Sequence, residues 1–126
     1  MAGVTVLWQD EPLGMDAERL AAIYVELGEA RATAAVASAM EELAVALERM
    51  RGLRQTSRIP ALAQLAARVR DIAEPLGMLS LSLVACDVTD AAQTGDGVAL
   101  SATLARMERV ANRSLKMVWD LQDLSG

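Results

Sequence analysis

The chain has 126 residues, of which 53% are hydrophobic and 23% are charged. This length supports one hydrophobic core without room for a second domain, and the apolar content excludes a disordered chain. The formal net charge is −5. Binding to nucleic acid requires a clustered basic surface, so we expect no nucleic-acid partner.

Two features of the composition argue against catalysis, metal binding and disulfide bonds. The chain contains no histidine, and Cys86 is its single cysteine. Histidine is the usual general base and metal ligand, and a lone cysteine provides no disulfide framework, which favours a reducing compartment. We therefore expect a cytoplasmic protein that is not an enzyme and holds neither metal nor cofactor.

The first residues predict an extended arm. Val4, Val6 and Trp8 alternate with other residues, which is the period of an extended segment with one apolar side. The apolar run is too short for a signal peptide or a membrane span, so no membrane contact is expected. We assign residues 1–15 to the arm and residues 16–126 to a single helical domain.

Capping residues and apolar spacing predict the first two helices. Asp16 is a suitable N-cap for a helix over about 16–27, which Gly28 ends. A longer helix follows from Glu29 to about Arg51, with Gly52 as its predicted stop. Its apolar stripe, with spacings of four, three, four and three, consists of Val36, Met40, Leu43, Leu47 and Met50.

A third helix is predicted after Ser57, with Pro60 in its first turn and with Pro75 and Gly77 at its end. Its apolar stripe consists of Leu62, Leu65, Val69, Ile72 and Leu76. A fourth helix is predicted over about 78–93. Its inward residues are Leu81, Val84, Val88 and Ala91.

The last helix is predicted to begin after Thr94 or Asp96 and to reach about residue 123. Its stripe consists of Leu100, Leu104, Met107, Ala111, Ser114, Val118 and Leu121. Amphipathic helices joined by short turns bury their stripes against one another. We therefore predict an all-α, up-down antiparallel four-helix bundle with an extra short N-terminal helix and an extended N-terminal arm.

The segment from Leu65 to Leu100 carries a motif that spans two helices and a turn. Val69 and Arg70 are followed by Leu76-Gly77 and then by the turn Thr94-Gly95-Asp96. This pattern resembles the core of a histidine phosphotransfer (HPt) domain, in which a helix reads roughly His-x-Leu-Lys-Gly-x-x-x-x-Leu-Gly. The position of the phosphoacceptor histidine falls on Ala67.

At 100° per residue, Ala67 points away from the predicted core stripe of its helix. The outward residues of this helix are Ala63, Gln64, Ala67, Arg70, Asp71 and Glu74. The resemblance implies that this face docks a receiver or histidine-kinase domain, but alanine accepts no phosphoryl group. Asp71 stands where the family usually has Gly or Ser, and its carboxylate would repel a receiver's acidic phosphorylation pocket.

The resemblance thus implies a non-catalytic HPt-like adaptor or modulator in two-component signalling, without phosphotransfer. From the apolar arm and the long last helix we also expect a homodimer. The alternative is a structural or self-assembling helical protein, for which the apolar arm and Trp119 on the last helix provide contacts. The outward face of the third helix is equally compatible with a solvent-exposed surface without a function. A catalytic carboxylate site at Asp87 and Asp90 is disfavoured because no helix supplies the remaining ligands.

Overall fold

The computed structural model describes residues 14–54 and 58–125, so the predicted arm lies outside the described residues apart from Gly14 and Met15. The described part of the chain is all-helical, as predicted, and contains no strand, only an isolated bridge between Met15 and Met78. The helices are α1 (Ala17–Leu27), α2 (Glu29–Arg54), α3 (Ile59–Ala73), α4 (Leu79–Thr94) and α5 (Gly97–Ser125).

Helix α1 begins and ends where the capping residues predict. The Asp16 carboxylate accepts a hydrogen bond from the backbone N–H of Glu18 at 3.1 Å, as an N-cap does. At the other end Gly28 has φ 82°, and its N–H donates to the carbonyl of Tyr24. A positive φ is strained for other residues, so glycine ends the helix here.

Helix α2 continues past its predicted stop. Gly52 lies inside the helix, which ends at Arg54. On the preceding turn Met50 is buried, and Arg51 forms an ion pair of 2.7 Å with Glu108 of α5. These contacts hold the last turn in place, and glycine inside a helix costs only about 1 kcal/mol relative to alanine. The predicted stripe of α2 is buried, together with Ala32 and Ala46.

Helix α3 has a core side that differs from the predicted stripe. Leu65 and Ile72 are only half-buried, whereas Ala66 and Ala73 are fully buried. The buried residues from this helix and its following turn are Leu62, Ala66, Val69, Ala73 and Leu76. Helix α3 packs most extensively on α4, and the alanines fit a close approach of two helices. The larger side chains of Leu65 and Ile72 face α2 instead.

The remaining helices follow the predicted pattern closely. All four predicted inward residues of α4 are buried, and Ala85 is buried with them. Gly95 ends α4 in the left-handed region at φ 70°, and the Asp96 carboxylate accepts from the N–H of Ala99 at 3.0 Å. Asp96 rather than Thr94 therefore caps α5. The predicted α5 stripe is buried from Leu100 to Val118, with Val110 in addition.

Consecutive helices pack on one another along the described chain: α1 on α2, α2 on α3, α3 on α4 and α4 on α5. Side chains of α5 also reach back to the first two helices. Glu108 binds Arg51 of α2, and Gln122 donates a long hydrogen bond of 3.4 Å to the hydroxyl of Tyr24 on α1. Buried side chains from all five helices consequently form one core cluster.

The residues before α1 are joined to the turn between α3 and α4. The N–H of Asp16 donates to the carbonyl of Gly77 at 2.8 Å, and the N–H of Ser80 donates to the carbonyl of Gly14 at 3.1 Å. The N–H of Gly14 in turn donates to Oγ of Ser80 at 2.6 Å. These bonds fix the start of α1 against the α3–α4 turn.

Candidate protein-binding surfaces

The outward residues predicted on α3 form a mixed surface, which we call the α3 surface. It comprises Ala63, Gln64, Ala67, Arg70, Asp71 and Glu74. Gln64, Asp71 and Glu74 are exposed as predicted. Ala63, Ala67 and Arg70 are half-buried, so they are only partly exposed. Because the core side of α3 is centred on its alanines, Ala67 lies on the flank of the helix rather than opposite the core.

An ion pair between neighbouring residues defines the centre of the α3 surface. The Arg70 guanidinium donates from Nε and Nη2 to Oδ1 of Asp71, at 3.2 and 3.1 Å. The hydrogen bond to Asp71 and the charge of that carboxylate raise the pKa of Arg70, and a hydrogen bond to Cys86 of α4 adds to the effect. Asp71 is thus compensated by a cation, which lessens the repulsion expected toward an acidic partner.

A contact from α1 extends the α3 surface at the end of the helix. Arg19 donates from Nη1 to the backbone carbonyl of Glu74 at 3.1 Å, and its Nε lies 3.4 Å from a carboxylate oxygen of Asp16. A cation beside the C-terminus of a helix complements the carbonyl dipoles there. The sequence did not identify Arg19, because 55 residues separate it from Glu74.

Cys86 is half-buried. It is one of the groups that raise the pKa of Arg70 on α3. Asp87, on the adjacent position, lies 3.7 Å from Arg106 of α5. Within residues 14–54 and 58–125, no three histidine, cysteine or acidic side chains come together in a group that could hold a metal ion.

A row of basic residues on α5, which we call the α5 basic stripe, was missed in the sequence. Its members are Arg106, Arg109, Arg113 and Lys116, with spacings of three, four and three. Arg113 is half-buried and the other three are exposed, so the row lies on the side of α5 away from the core. The spacing of three and four residues predicts this row when the helical period is applied to charged residues as well as to apolar ones.

A surface cavity lies between α1 and the end of α5, and we call it the α1–α5 groove. It has a volume of about 520 Å³. Its lining is mainly apolar and includes Leu20, Tyr24 and Val25 of α1 and Leu121 of α5. Val25 is 87% exposed, an unusual degree for a large aliphatic side chain next to an apolar cavity.

Two smaller depressions, of about 360 and 300 Å³, lie between α2 and α3. Leu65 lines one and Ile72 the other, and Glu42 lines both. Glu42 also lies 3.4 Å from Arg68 of α3. The apolar residues that the sequence assigned to the core thus form part of the surface between α2 and α3.

Comparisons with known proteins give no relative: no family model, no curated protein and no solved structure matches the chain. Among the helices described above, none has both the length and the apolar composition needed to cross a membrane. The described residues thus form an all-helical fold with one core cluster and several surfaces open to a partner.

Proposed function

We propose that this chain is a non-catalytic protein that acts by protein–protein contact, as an adaptor or modulator in two-component signalling. Its docking site is the α3 surface, and its partner is a receiver or histidine-kinase domain. The observation that carries the proposal is the pairing on this surface of a small residue, Ala67, with the fixed Arg70–Asp71 ion pair. These residues occupy the positions of the phosphoacceptor histidine and its neighbours in the family that the sequence resembles.

The proposed architecture is an HPt-like bundle in which α2 to α5 form an up-and-down four-helix arrangement and α1 is the additional helix. Sequential packing of the helices supports this arrangement. The ion pair between Arg51 and Glu108 supports it as well, because it joins the first and last of the four helices. A bundle of this kind presents long helix faces, which suit contact with another protein.

Phosphotransfer is not part of the proposed function. Histidine is absent from the whole sequence, and the methyl group of Ala67 offers no acceptor atom. A small side chain instead lets a partner helix approach the α3 surface closely. The Arg70–Asp71 pair beside it presents a cation and an anion to the partner.

The α5 basic stripe adds an electrostatic component to the proposal. The row concentrates four cations on one helix of a chain whose net charge is −5, and Arg106 among them lies 3.7 Å from Asp87. Such a row attracts an acidic partner and orients it during encounter, which raises the association rate more than the affinity. A receiver domain, with its acidic phosphorylation pocket, has the matching charge.

A titration by calorimetry tests the proposal. The full chain is titrated with receiver and kinase domains from its own cell, each with and without phosphorylation, and the variants Ala67→Arg and Asp71→Arg are compared with wild type. The control is Glu41→Arg, an equal reversal of charge at an exposed position on α2. We expect one domain to bind, with about tenfold weaker affinity for Ala67→Arg, whose bulk blocks close approach to the α3 surface, a changed affinity for Asp71→Arg, and no change for the control. Failure of every domain to bind in any phosphorylation state would contradict the proposal.

A second candidate is a structural or self-assembling protein, and exposed apolar side chains away from the α3 surface favour it. Val25, Leu83 and Trp119 are 87%, 68% and 54% exposed. Large apolar side chains on a surface are common at contacts between subunits. Analytical ultracentrifugation distinguishes the two candidates. Assembly would be favoured if the protein forms a stable oligomer, if Leu83→Ser or Trp119→Ser dissociates that oligomer, and if the protein binds no signalling domain.

A further inference from the structure

A short stretch near the end of α5 presents charged and apolar side chains to solvent. Lys116, Met117, Trp119 and Asp120 are all exposed, and we call them the α5 end patch. Val118, in their middle, is fully buried and belongs to the core cluster. Because protein cores are closely packed, this residue fixes the backbone that carries the patch.

The two charges of the α5 end patch have no counter-ion within the part of the chain that the structure describes. Lys116 and Asp120 stand about 6 Å apart along the axis of α5, yet no ion pair joins them to each other or to another described side chain. By contrast, Arg106 on the same helix is paired with Asp87 of α4. The patch therefore has one cation and one anion available to a partner.

Two large apolar side chains flank these charges. Trp119 is 54% exposed and Met117 is 38% exposed. Because each residue of a helix turns the side-chain direction by about 100°, the two point to opposite sides of Lys116 and Asp120. Tryptophan is enriched at contacts between proteins, and large apolar side chains exposed beside charged ones are typical of a contact surface.

The α5 end patch is symmetric in its chemistry about Val118. Residues of opposite charge stand two positions before and two positions after it, and an apolar residue stands on each side. The charge order continues in the sequence, since Arg113 and Asp123 stand five positions before and after Val118. When a two-fold axis beside Val118 relates two antiparallel copies of α5, residues at equal distances before and after it lie opposite each other. Lys116 of each copy then faces Asp120 of the other.

We infer that the α5 end patch is the contact surface for a second copy of this chain, in an antiparallel arrangement. Two ion pairs between Lys116 and Asp120 form across the two-fold axis, and the two Trp119 rings come together beside them and exclude water. A parallel arrangement would place like charges opposite each other, and this repulsion selects the antiparallel one. The α3 surface lies on a different helix, so this contact does not depend on binding of a signalling domain.

Exchange of the two charges tests the inference by sedimentation equilibrium of the full chain. Lys116→Glu places a carboxylate opposite Asp120 of the second copy, and Asp120→Lys places an ammonium group opposite Lys116. The double variant Lys116→Glu/Asp120→Lys restores opposite charges across the axis. The control is Arg109→Glu, an equal change of charge at an exposed position on the same side of α5, two helical turns before Lys116.

We expect the wild type to dimerise and each single variant to raise the dissociation constant about tenfold, because two ion pairs become two repulsive contacts. The double variant should return the dissociation constant to within about threefold of wild type, and the control should leave it unchanged. A monomer at every concentration would overturn the inference. So would a dimer that tolerates both single variants, or one that the double variant fails to restore.

Zero-length crosslinking reports on the pairing itself. Lys116 is the single lysine of the chain, and a carbodiimide joins its amine to a carboxylate within ion-pair distance. A mixture of isotope-labelled and unlabelled protein is crosslinked, and mass spectrometry then shows which carboxylate of the other copy has reacted. We expect Asp120, and no such product in Lys116→Arg, which keeps the charge without the reactive amine. Crosslinks between copies only outside α5, or none between copies, would overturn the inference.

Discussion

The backbone carbonyl of Asp16 lies where a Cβ atom on Gly77 would have to stand. A hydrogen bond holds the two residues together as well, because the N–H of Asp16 donates to the Gly77 carbonyl at 2.8 Å. Gly77 has φ 78°, a conformation that glycine adopts without strain. One glycine therefore allows both the turn after α3 and the close approach of the chain that leads into α1.

The variant Gly77→Ala is expected to reduce the free energy of unfolding by about 2–4 kcal/mol, since the left-handed conformation costs about 1–2 kcal/mol and displacement of the Asp16 backbone adds to it. The control is Gly95→Ala, which has φ 70° but no atom within 4 Å of the new Cβ, so only the conformational cost applies. Urea unfolding measures both. Equal losses would show that the Asp16 contact contributes nothing.

At Gly52, which lies within α2, substitution by alanine is expected to stabilise the protein rather than destabilise it. Nothing lies within 4 Å of a Cβ atom added there, and the residue is helical. We expect Gly52→Ala to raise the free energy of unfolding by about 0.5–1 kcal/mol, because alanine loses less backbone entropy in a helix. Thermal or urea unfolding checks this. A loss of stability would indicate that the helix ends at Gly52, as its sequence alone suggested.

The orientation of α3 is tested by enlarging two neighbouring alanines. Ala66 is fully buried, whereas Ala67 is half-buried on the flank. We expect Ala66→Leu to destabilise the protein by about 1–3 kcal/mol through overpacking. The same change at Ala67 should have a clearly smaller effect. Chemical denaturation compares the two variants, and a larger loss at Ala67 would mean that α3 is oriented differently.

Helix existence and most helix ends followed from the sequence because their causes are local. Asp16, Gly28 and Gly95 act through side-chain caps and backbone conformation within a few residues. Gly52 misled the interpretation because the contact that keeps its turn helical, between Arg51 and Glu108, joins residues 57 apart. The helical period alone contains no information about such a contact.

The candidate site was predictable only in part. Five residues of the α3 surface lie on one helix and Glu74 is its C-cap, but the degree of burial of Ala67 and Arg70 depended on which side of α3 packs on α4. Alanine is short enough to suit either a core or a surface, so Ala66 and Ala73 did not show the core side in advance. The approach of Arg70 to Cys86 and of Arg19 to Glu74 depends on tertiary packing.

If the chain is related to phosphotransfer domains, as proposed, one substitution should enable it to accept a phosphoryl group. The variant Ala67→His should accept a phosphoryl group from a phosphorylated receiver that binds the protein, because imidazole supplies the acceptor nitrogen that alanine lacks. The control is Ala63→His, one helical turn earlier and similarly half-buried. Acid-labile label on the protein is the measurement. Labelling of both variants, or of neither, would contradict the assignment of position 67.

The central claim, that the chain works by contact through the α3 surface, is tested most directly by NMR. Amide chemical shifts of the full chain are recorded while the receiver or kinase domain that binds it is added. We predict that the largest shifts fall on the residues from Ala63 to Glu74, with Arg19 of α1 at their edge. Shifts confined to the α1–α5 groove, or no shifts with any such domain, would contradict it.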